Sequence, residues 1–254
     1  MTQAGYRARA TFSMYEGISN YYCVTRLPWI SNAKPRNLNS KKNGRSKMQK
    51  TAREIMDELQ TVHYDELLSK ETPWRGYKDM SLRAIKEAPR ISGNFAEFGV
   101  YKGYSADLML SFLSPSEKLY LFDSFDGLPE DWISVWKKGA FSLSEEQRPS
   151  FSDQRVVVIK GLFKDTINFQ QGEVLSFIHI DCDLYSSTLD ALTKSNNAIW
   201  PGTLILFDEY EMNSNGEYSD DEHRALYEWS EKCGRKFDYL WRTKSTQVAI
   251  RITR

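Results

Sequence analysis

Two aspartates lie where a buried strand gives way to a helix. In the segment FIHIDCDLYSSTLDAL, residues 177–192, Asp181 and Asp183 are separated by one residue, so an extended backbone would direct both to one face. Asp208 and Glu209 end the next apolar segment, and neighbouring strands lie about 4.8 Å apart. Carboxylates that converge in this way repel each other unless protons or a cation neutralise them. Oxygen ligands suit Mg²⁺, Ca²⁺ or Mn²⁺ better than Zn²⁺, so the pattern predicts a divalent-cation site beside a substrate.

Helix capping is the alternative role for the two aspartates. Asp181 and Asp183 could cap the helix that is expected to begin near Ser186, and the hydroxyls of Ser186 and Ser187 would assist. His179 shares their parity along the strand and is expected deeper in the sheet, as a hydrogen-bonded core histidine rather than a catalytic one.

A glycine-framed turn follows the first predicted strand. In EFGVYKGYS, residues 97–105, Gly99 and Gly103 frame a tight strand-to-helix connection. A backbone without Cβ can approach a ligand closely, and the helix behind it presents free N–H groups. The spacing G-x-x-x-G differs from the G-x-G-x-x-G of dinucleotide-binding proteins. A ligand-binding turn and a merely tight turn are both compatible with this motif.

Two acids near this turn favour the ligand-binding interpretation. Glu97 lies inside the strand end, where an unpaired carboxylate is costly, and a ligand ammonium or a salt bridge to Lys102 would satisfy it. Asp123 ends the second strand, where an acid can accept hydrogen bonds from ribose hydroxyls or cap a helix. Taken with the glycines, these acids predict an adenosine-type ligand that carries a positive group.

The segments around these motifs alternate between apolar strands and helices, which predicts an α/β fold with a mostly parallel sheet covered by helices on both faces. The segments FDYLWRT and TQVAIRI, on either side of Lys244-Ser245, predict a closing hairpin. The strands are expected at residues 95–100, 118–124, 156–161, 174–181 and 202–209. The helices are expected at residues 51–68, 81–89, 105–113, 186–200 and 220–233.

Charge is distributed unevenly along the 254 residues, although the net charge is zero. Residues 1–90 contain 17 basic and 9 acidic residues, a surplus typical of an anion-binding surface or of a solvated helical surface. We predict that residues 1–90 form a helical lid region with a mobile basic loop near residues 35–50. Residues 91–254 are then expected to form the catalytic domain.

Composition limits the environment of the chain. Hydrophobic residues make up 41%, as in globular proteins, and no apolar run reaches the roughly 18 residues that cross a bilayer. The N-terminal residues lack the apolar core of a secretory signal. Three cysteines without metal-type spacing indicate free thiols in a reducing compartment, so we expect a cytoplasmic protein with no membrane partner.

Four motifs together resemble the macrocin O-methyltransferase family. These are E-x-G-V-x-x-G at 97–103, LFDSFDGLPE at 121–130, HIDCDLYSST at 179–188 and PGTLILFDEY at 201–210, and the resemblance extends over roughly residues 75–254. The family consists of S-adenosylmethionine-dependent and Mg²⁺-dependent enzymes that methylate sugar hydroxyls on natural products and glycans. The resemblance implies a Rossmann-like class I methyltransferase fold with seven strands, the last antiparallel.

The resemblance also implies roles for individual residues. Asp123 would hold the ribose of S-adenosylmethionine, and Asp183 would be the general base. The predicted cofactor-binding residues are Glu97, Gly99, Tyr101, Gly103, Ser105, Asp123, Ser124, Phe125, Phe163 and Asp181. The predicted ligands of Mg²⁺, or of Mn²⁺ in its place, are Asp181, Asp208 and Glu209. The family usually has Asp-Asp before the tyrosine, whereas this chain has Glu209, whose longer side chain can still bind a metal.

These roles combine into a mechanism in which the metal lowers the pKa of a sugar hydroxyl and Asp183 accepts its proton. The partner is then a small-molecule or glycan acceptor, and a homodimer is left open. The main rival is a metal-dependent nucleotide-sugar glycosyltransferase that uses the D-x-D at 181–183, but it leaves the glycine turn unexplained. A nicotinamide oxidoreductase, a catalytically inactive binding module and a nucleic-acid methyltransferase are weaker alternatives, and no interleaved aromatic and basic pattern favours nucleic acid.

Overall fold

A computed structural model describes residues 49–62, 73–214 and 217–254. The predicted basic loop near residues 35–50 lies outside the described residues, except for its last two positions. Within the described ranges, no helix is both long and apolar enough to cross a membrane.

The centre of the fold is a seven-stranded sheet with the strand order β3-β2-β1-β4-β5-β9-β8. The first five strands are parallel, and β9 runs antiparallel to both of its neighbours, β5 and β8. The predicted α/β fold with an antiparallel last strand is confirmed. The strands are β1 Asn94–Phe98, β2 Leu119–Asp123, β3 Val156–Lys160, β4 Leu175–Ile180, β5 Ile199–Phe207, β8 Phe237–Arg242 and β9 Val248–Ile252, with a separate, unpredicted hairpin of β6 Met212–Ser214 and β7 Glu217–Ser219.

Six α-helices are described; three of them differ clearly from the sequence prediction, and a fourth, Phe163–Thr166, was not predicted. The helix expected at residues 81–89 begins earlier, at Pro73, because proline is well suited to the first turn of a helix. The helix expected at residues 186–200 ends at Lys194, and its last two residues belong to β5. The helices are α1 Ala52–Glu58, α2 Pro73–Glu87, α3 Tyr104–Leu110, α4 Phe163–Thr166, α5 Tyr185–Lys194 and α6 Asp221–Lys232.

The helix predicted at residues 51–68 ends at Glu58 because a tertiary contact overrides its helical pattern. Thr51 and Glu54 form a capping box that starts α1. Leu59 then turns to an extended conformation, and the next residues run beside the end of β8. There Arg242 exchanges backbone hydrogen bonds with Gln60 and Val62, at 2.9 and 2.8 Å. These bonds satisfy backbone groups that the helix would otherwise have paired internally.

The three central strands end in register, and this places the predicted acids at one sheet edge. Phe98 of β1 pairs with Ile180 of β4, which pairs with Phe207 of β5. The residue after each strand therefore reaches the same edge. The Asp181 N–H donates to the Phe98 carbonyl, and the Asp208 N–H donates to the Ile180 carbonyl, both at 2.9 Å.

Gly99 allows the turn after β1 to lie directly against the end of β4. Its φ is +89°, and a Cβ at this position would lie 1.8 Å from the carbonyl oxygen of Asp181. No side chain fits that gap. The first glycine of the motif is therefore required by contact between two parts of the backbone.

We expect Gly99→Ala to destabilise the protein more than Gly172→Ala. Both glycines have φ +89°, but a Cβ at Gly172 meets nothing within 4 Å. The left-handed backbone should cost each alanine variant about 1–2 kcal/mol of unfolding free energy. Steric overlap should add roughly 1–3 kcal/mol or more at Gly99. Urea unfolding followed by tryptophan fluorescence measures both losses, and equal losses would contradict the steric role of Gly99.

Candidate functional site

A cavity of about 710 Å³ opens at the carboxyl edge of the parallel strands. The loops that follow β1, β2, β3 and β4 all contribute to its wall, as expected for the ligand crevice of an open α/β sheet. The predicted site residues that line it are Gly99, Tyr101, Ser105, Asp123, Ser124, Phe163, Asp181, Asp183 and Glu209. Glu97, Gly103, Phe125 and Asp208 lie behind this wall rather than on it.

Asp123 joins the glycine turn to the end of β2. Its Oδ2 accepts hydrogen bonds from the backbone N–H groups of Val100 and Tyr101, at 2.8 and 2.9 Å. Its Oδ1 accepts a bond from the Phe125 N–H at 2.7 Å. A carboxylate has about four lone-pair sites, so Oδ1 retains capacity for one more donor at the cavity. The carboxylate therefore both orders the turn and remains available to a ligand.

Gly103 and Phe125 support the wall from behind. Gly103 has φ +79°, and a Cβ there would lie 2.9 Å from side-chain atoms of Pro149 and Phe151, so the 149–151 segment packs against it. The Phe125 ring is buried, and the Arg148 guanidinium lies 5.6 Å from its centroid. Both positions shape the cavity through packing in this structure.

An aromatic group borders the cavity and was only partly predicted. The rings of Tyr101 and Phe141 line the wall with centroids 5.9 Å apart, and Trp136 lies 4.7 Å from Phe141. Tyr101 and Phe141 both have positive φ, 49° and 67°, a conformation that is uncommon for bulky residues. Phe141 and Trp136 come from the long connection after β2, beyond the motif that ends at Glu130, so no motif revealed them.

The acidic cluster, defined here as Asp181, Asp208 and Glu209, forms as predicted at the ends of β4 and β5. Each residue offers a carboxylate oxygen, and these oxygens lie within 4.8 Å of one another. Burial and the neighbouring acids raise the pKa of Glu209 well above its usual value, and its Oε2 is buried without a hydrogen-bond partner. Burial would also raise the pKa of Asp208, but Lys78 and His179 outweigh it and hold that pKa well below the usual range.

Lys78 of α2 provides a positive charge that the sequence analysis missed. Its Nζ lies 2.5 Å from Asp181 Oδ2 and 3.3 Å from Asp208 Oδ2. Burial alone would lower the pKa of this ammonium, but the acidic cluster outweighs burial and raises the pKa well above its usual value. Lys78 precedes Asp181 by 103 residues. Only the fold brings the two together.

His179 connects Glu97 to the cluster from inside the sheet. Its Nδ1 lies 2.8 Å from Glu97 Oε1, which also accepts a hydrogen bond from the Ser105 hydroxyl. Its Nε2 is 3.6 Å from Asp208 Oδ1, too far for a hydrogen bond. Burial would lower the pKa of His179, but the carboxylates around it raise that pKa to about 9. Glu97 is thus paired within the sheet, and Lys102 lies over the Tyr101 ring instead.

Asp183 reaches the cavity through a turn rather than along an extended strand. Strand β4 ends at Ile180, and Asp183 has φ +64°. The extended backbone that would direct both aspartates to one face therefore does not persist to Asp183, although its side chain still lines the cavity. Burial and the charges of Asp181 and Asp208 raise the pKa of Asp183 to about 8. Helix α5 has Leu184 at its cap position and no side-chain cap, so neither aspartate caps it.

Glu222 of α6 is a second residue that the sequence analysis missed. Its Oε2 accepts a hydrogen bond from the Glu209 backbone N–H at 3.0 Å, while its Oε1 is buried without a partner. Burial and the charges of Asp208, Asp183 and Asp181 raise the pKa of Glu222 well above its usual value. Glu222 therefore fixes the backbone that carries Glu209. A glutamate in the first turn of an amphipathic helix gives no sequence signal for this role.

The segment that builds this site matches a known family. Residues 80–233, more than half of the chain, match the sequence model of the family described as "Macrocin-O-methyltransferase (TylF)". The chain belongs to the macrocin O-methyltransferase family. The match contains the acidic cluster, the glycine turn and Glu222, whereas Lys78 lies two residues before it.

Individual members of the macrocin O-methyltransferase family share about 30% identity with this chain, over part of its length. The chain is 30% identical over 158 residues to demethyldecarbamoylnovobiocin O-methyltransferase of Streptomyces niveus, covering 54% of this chain and 60% of the relative. It is 30% identical over 147 residues to 8-demethyl-8-(2,3-dimethoxy-alpha-L-rhamnosyl)-tetracenomycin-C 4'-O-methyltransferase of Streptomyces olivaceus, covering 50% and 56%. The chain thus matches less than two thirds of the length of these relatives.

Solved structures support the fold of the family. The O-methyltransferase NovP superposes with a TM-score of 0.53 at 22% identity, over 71% of this chain and 78% of NovP. The calicheamicin methyltransferase CalS11 gives a TM-score of 0.53 at 19% identity, over 68% and 76% of the two chains. The predicted class I methyltransferase sheet is therefore confirmed.

We expect Glu222→Gln to be tolerated and Glu222→Ala to be destabilising. Glutamine keeps an oxygen that can accept the Glu209 N–H, and burial raises the pKa of Glu222 well above its usual value, which favours the uncharged form. Alanine leaves that N–H unpaired and opens a cavity, which should lower the unfolding free energy by roughly 2–4 kcal/mol. Urea unfolding at pH 7 measures the difference. Equal losses in the two variants would show that the hydrogen bond to Glu209 contributes little.

Proposed function

We propose that this chain is an S-adenosylmethionine-dependent O-methyltransferase that acts on a sugar hydroxyl of a glycosylated small molecule or glycan. The observation that carries the proposal is family membership over the segment that forms the cavity. The names of two relatives describe O-methylation of a novobiocin derivative and of a rhamnosyl tetracenomycin. The glycosyltransferase alternative would use the D-x-D at 181–183, but it gives no role to the glycine turn and Asp123, which form part of the cavity wall.

The cavity fits S-adenosylmethionine in size and in polar groups. Its volume lies within the roughly 300–1,000 Å³ of small-molecule sites. Asp123 retains an acceptor site on Oδ1, and Glu97 keeps a buried Oε2 without a partner behind Ser105. The cofactor, when bound, supplies an electrophilic methyl group on its sulfonium. The residues proposed to hold it directly or through the wall behind are Glu97, Gly99, Tyr101, Gly103, Ser105, Asp123, Ser124, Phe125, Phe163 and Asp181.

The acidic cluster fits Mg²⁺ or Mn²⁺. Its donors are all carboxylate oxygens, which these cations prefer, and one of them, Glu209 Oε2, is buried and unpaired. We therefore propose Asp181, Asp208 and Glu209 as the metal ligands. The metal, when bound, supplies Lewis acidity that lowers the pKa of the acceptor hydroxyl.

Asp183 is proposed to accept the proton of that hydroxyl. It lines the cavity beside the acidic cluster, and its backbone is held in the left-handed region, where strain is often retained for function. Helix α2 contributes Lys78 to the same wall. On this basis we also propose that α2, which precedes residue 91, forms part of the cover that keeps water from the reacting groups.

We expect S-adenosylhomocysteine to bind with micromolar affinity, and Asp123→Asn to weaken binding about tenfold or more. The amide has only one acceptor oxygen. Its NH₂ group must therefore face either the N–H groups of the turn or the N–H of Phe125 and the ribose, and a hydrogen bond is lost in both orientations. Isothermal titration measures the dissociation constants. Asp126→Asn is the matched control, because Asp126 is exposed three residues further on and does not line the cavity.

Binding of UDP-glucose with Mn²⁺, without any response to S-adenosylhomocysteine, would overturn the proposed function. Equal affinity of the Asp123→Asn and Asp126→Asn variants for S-adenosylhomocysteine would instead remove Asp123 from the cofactor site and leave the reaction class standing.

We expect Asp183→Asn to reduce methyl transfer by 10²-fold or more, with S-adenosylhomocysteine affinity unchanged. Asparagine preserves the shape of the side chain but cannot accept the hydroxyl proton, and a general base typically contributes about 10²–10⁴-fold. Transfer of a tritiated methyl group is measured on a panel of glycosides that includes demethyldecarbamoylnovobiocin. Wild-type turnover in the variant would exclude Asp183 as the base.

A further inference from the structure

Lys78 occupies the place where a cation would bind the acidic cluster. Its side chain is only 12% exposed, and its Nζ contacts two of the three carboxylates, Asp181 at 2.5 Å and Asp208 at 3.3 Å. Within residues 49–62, 73–214 and 217–254, no other lysine or arginine forms an ion pair with either aspartate. The ammonium is therefore the main counter-ion of the cluster.

A cation that bound the same oxygens would compete with the ammonium. A Mg²⁺ ion bound to Asp181 and Asp208 would lie about 2.0–2.1 Å from its ligand oxygens. The same two carboxylates already hold Nζ at hydrogen-bond distance. Like charges at such short separation repel strongly in a buried site, where water screens poorly. A metal ion that takes Oδ2 of Asp181 and of Asp208 therefore displaces the ammonium.

The lysine side chain can leave without unfolding of α2. Lys78 lines the open cavity, and its ammonium is a point charge on a flexible four-carbon stem. Rotation of this stem moves Nζ from the cluster into the cavity. By contrast, Asp181 and Asp208 follow the in-register strands β4 and β5, and Asp208 also receives a long hydrogen bond from Gln247 at 3.3 Å.

We propose that Lys78 and a divalent cation are alternative counter-ions of the acidic cluster, so that the ion binds only when the Lys78 ammonium moves into the cavity. The inference rests on the metal site of the proposed function. Lys78 lies two residues before the segment that matches the family. The consequence is that Lys78 weakens metal binding.

The first test measures Mn²⁺ binding to the full chain from the loss of the free-ion signal in electron paramagnetic resonance. Lys78→Met and Lys78→Gln should each bind Mn²⁺ at least tenfold more tightly than the wild type. Lys102→Met is the matched control and should bind like the wild type. Lys102 lines the same cavity, but its ammonium lies over the Tyr101 ring, 5.3 Å from the centroid, rather than on the cluster.

The second test uses the wild-type chain and so does not depend on the folding of a variant. The rate of reductive methylation of Lys78 is followed by mass spectrometry without Mn²⁺ and with it. The Mn²⁺ concentration is one at which electron paramagnetic resonance shows that the site is occupied. Release of the ammonium into the cavity should increase the rate at Lys78 and leave the rate at Lys102 unchanged. An unchanged or slower rate at Lys78 in the loaded protein would overturn the inference.

The outcomes separate this inference from the proposed function. Equal Mn²⁺ affinity in the wild type and in both Lys78 variants would leave the metal site standing and overturn the competition. Absence of Mn²⁺ binding in every protein at millimolar concentration would refute the metal site itself, and the inference with it. The S-adenosylhomocysteine titration is independent of both results.

Discussion

The register of β1, β4 and β5 is the constraint on which the site depends. Because Phe98, Ile180 and Phe207 are aligned, the residues that follow these strands meet at one edge. The alignment requires the turn after β1 to touch the end of β4, and only a residue without Cβ can lie there. Displacement of any one strand by a residue would turn alternate side chains to the opposite face and disperse the carboxylates.

The same register concentrates acids in a buried place, which is unfavourable for stability. Glu97, Glu209 and Glu222 each keep one buried oxygen without a hydrogen-bond partner. An unpaired buried polar atom destabilises the folded state, and native structures keep few of them. Lys78 and His179 offset part of the repulsion, from the cavity side and from inside the sheet respectively. The apolar central strands must supply the remaining stability, and every residue of β4 is buried.

The sequence predicts the fold well because the fold follows local patterns. Apolar strands, turn residues and helical periodicity predict the sheet, and the D-x-D motif and Asp208-Glu209 predict the acidic cluster. The failures have physical causes. The helix expected to continue to residue 68 ends at Glu58 because the Arg242 backbone pairs with the residues that follow. Lys78 is missed because it contacts Asp181 across 103 residues, and Glu222 is missed because it contacts the Glu209 backbone from α6, on the far side of the β6–β7 hairpin. No periodicity encodes such contacts.

The positions of Lys78 and Glu222 give the acidic cluster two kinds of support. Glu222 holds the backbone of Glu209 with a hydrogen bond and lies behind the cavity wall, so its contact need not change when a ligand enters. Lys78 holds the carboxylates through charge and lies on the wall itself, so its contact must change whenever another cation takes those oxygens. A geometrically fixed partner behind the wall preserves the shape of a site, whereas a flexible counter-ion on the wall allows its charge to be exchanged. Of the two residues that the sequence analysis missed, Glu222 therefore preserves the shape of the site, and Lys78 balances its charge.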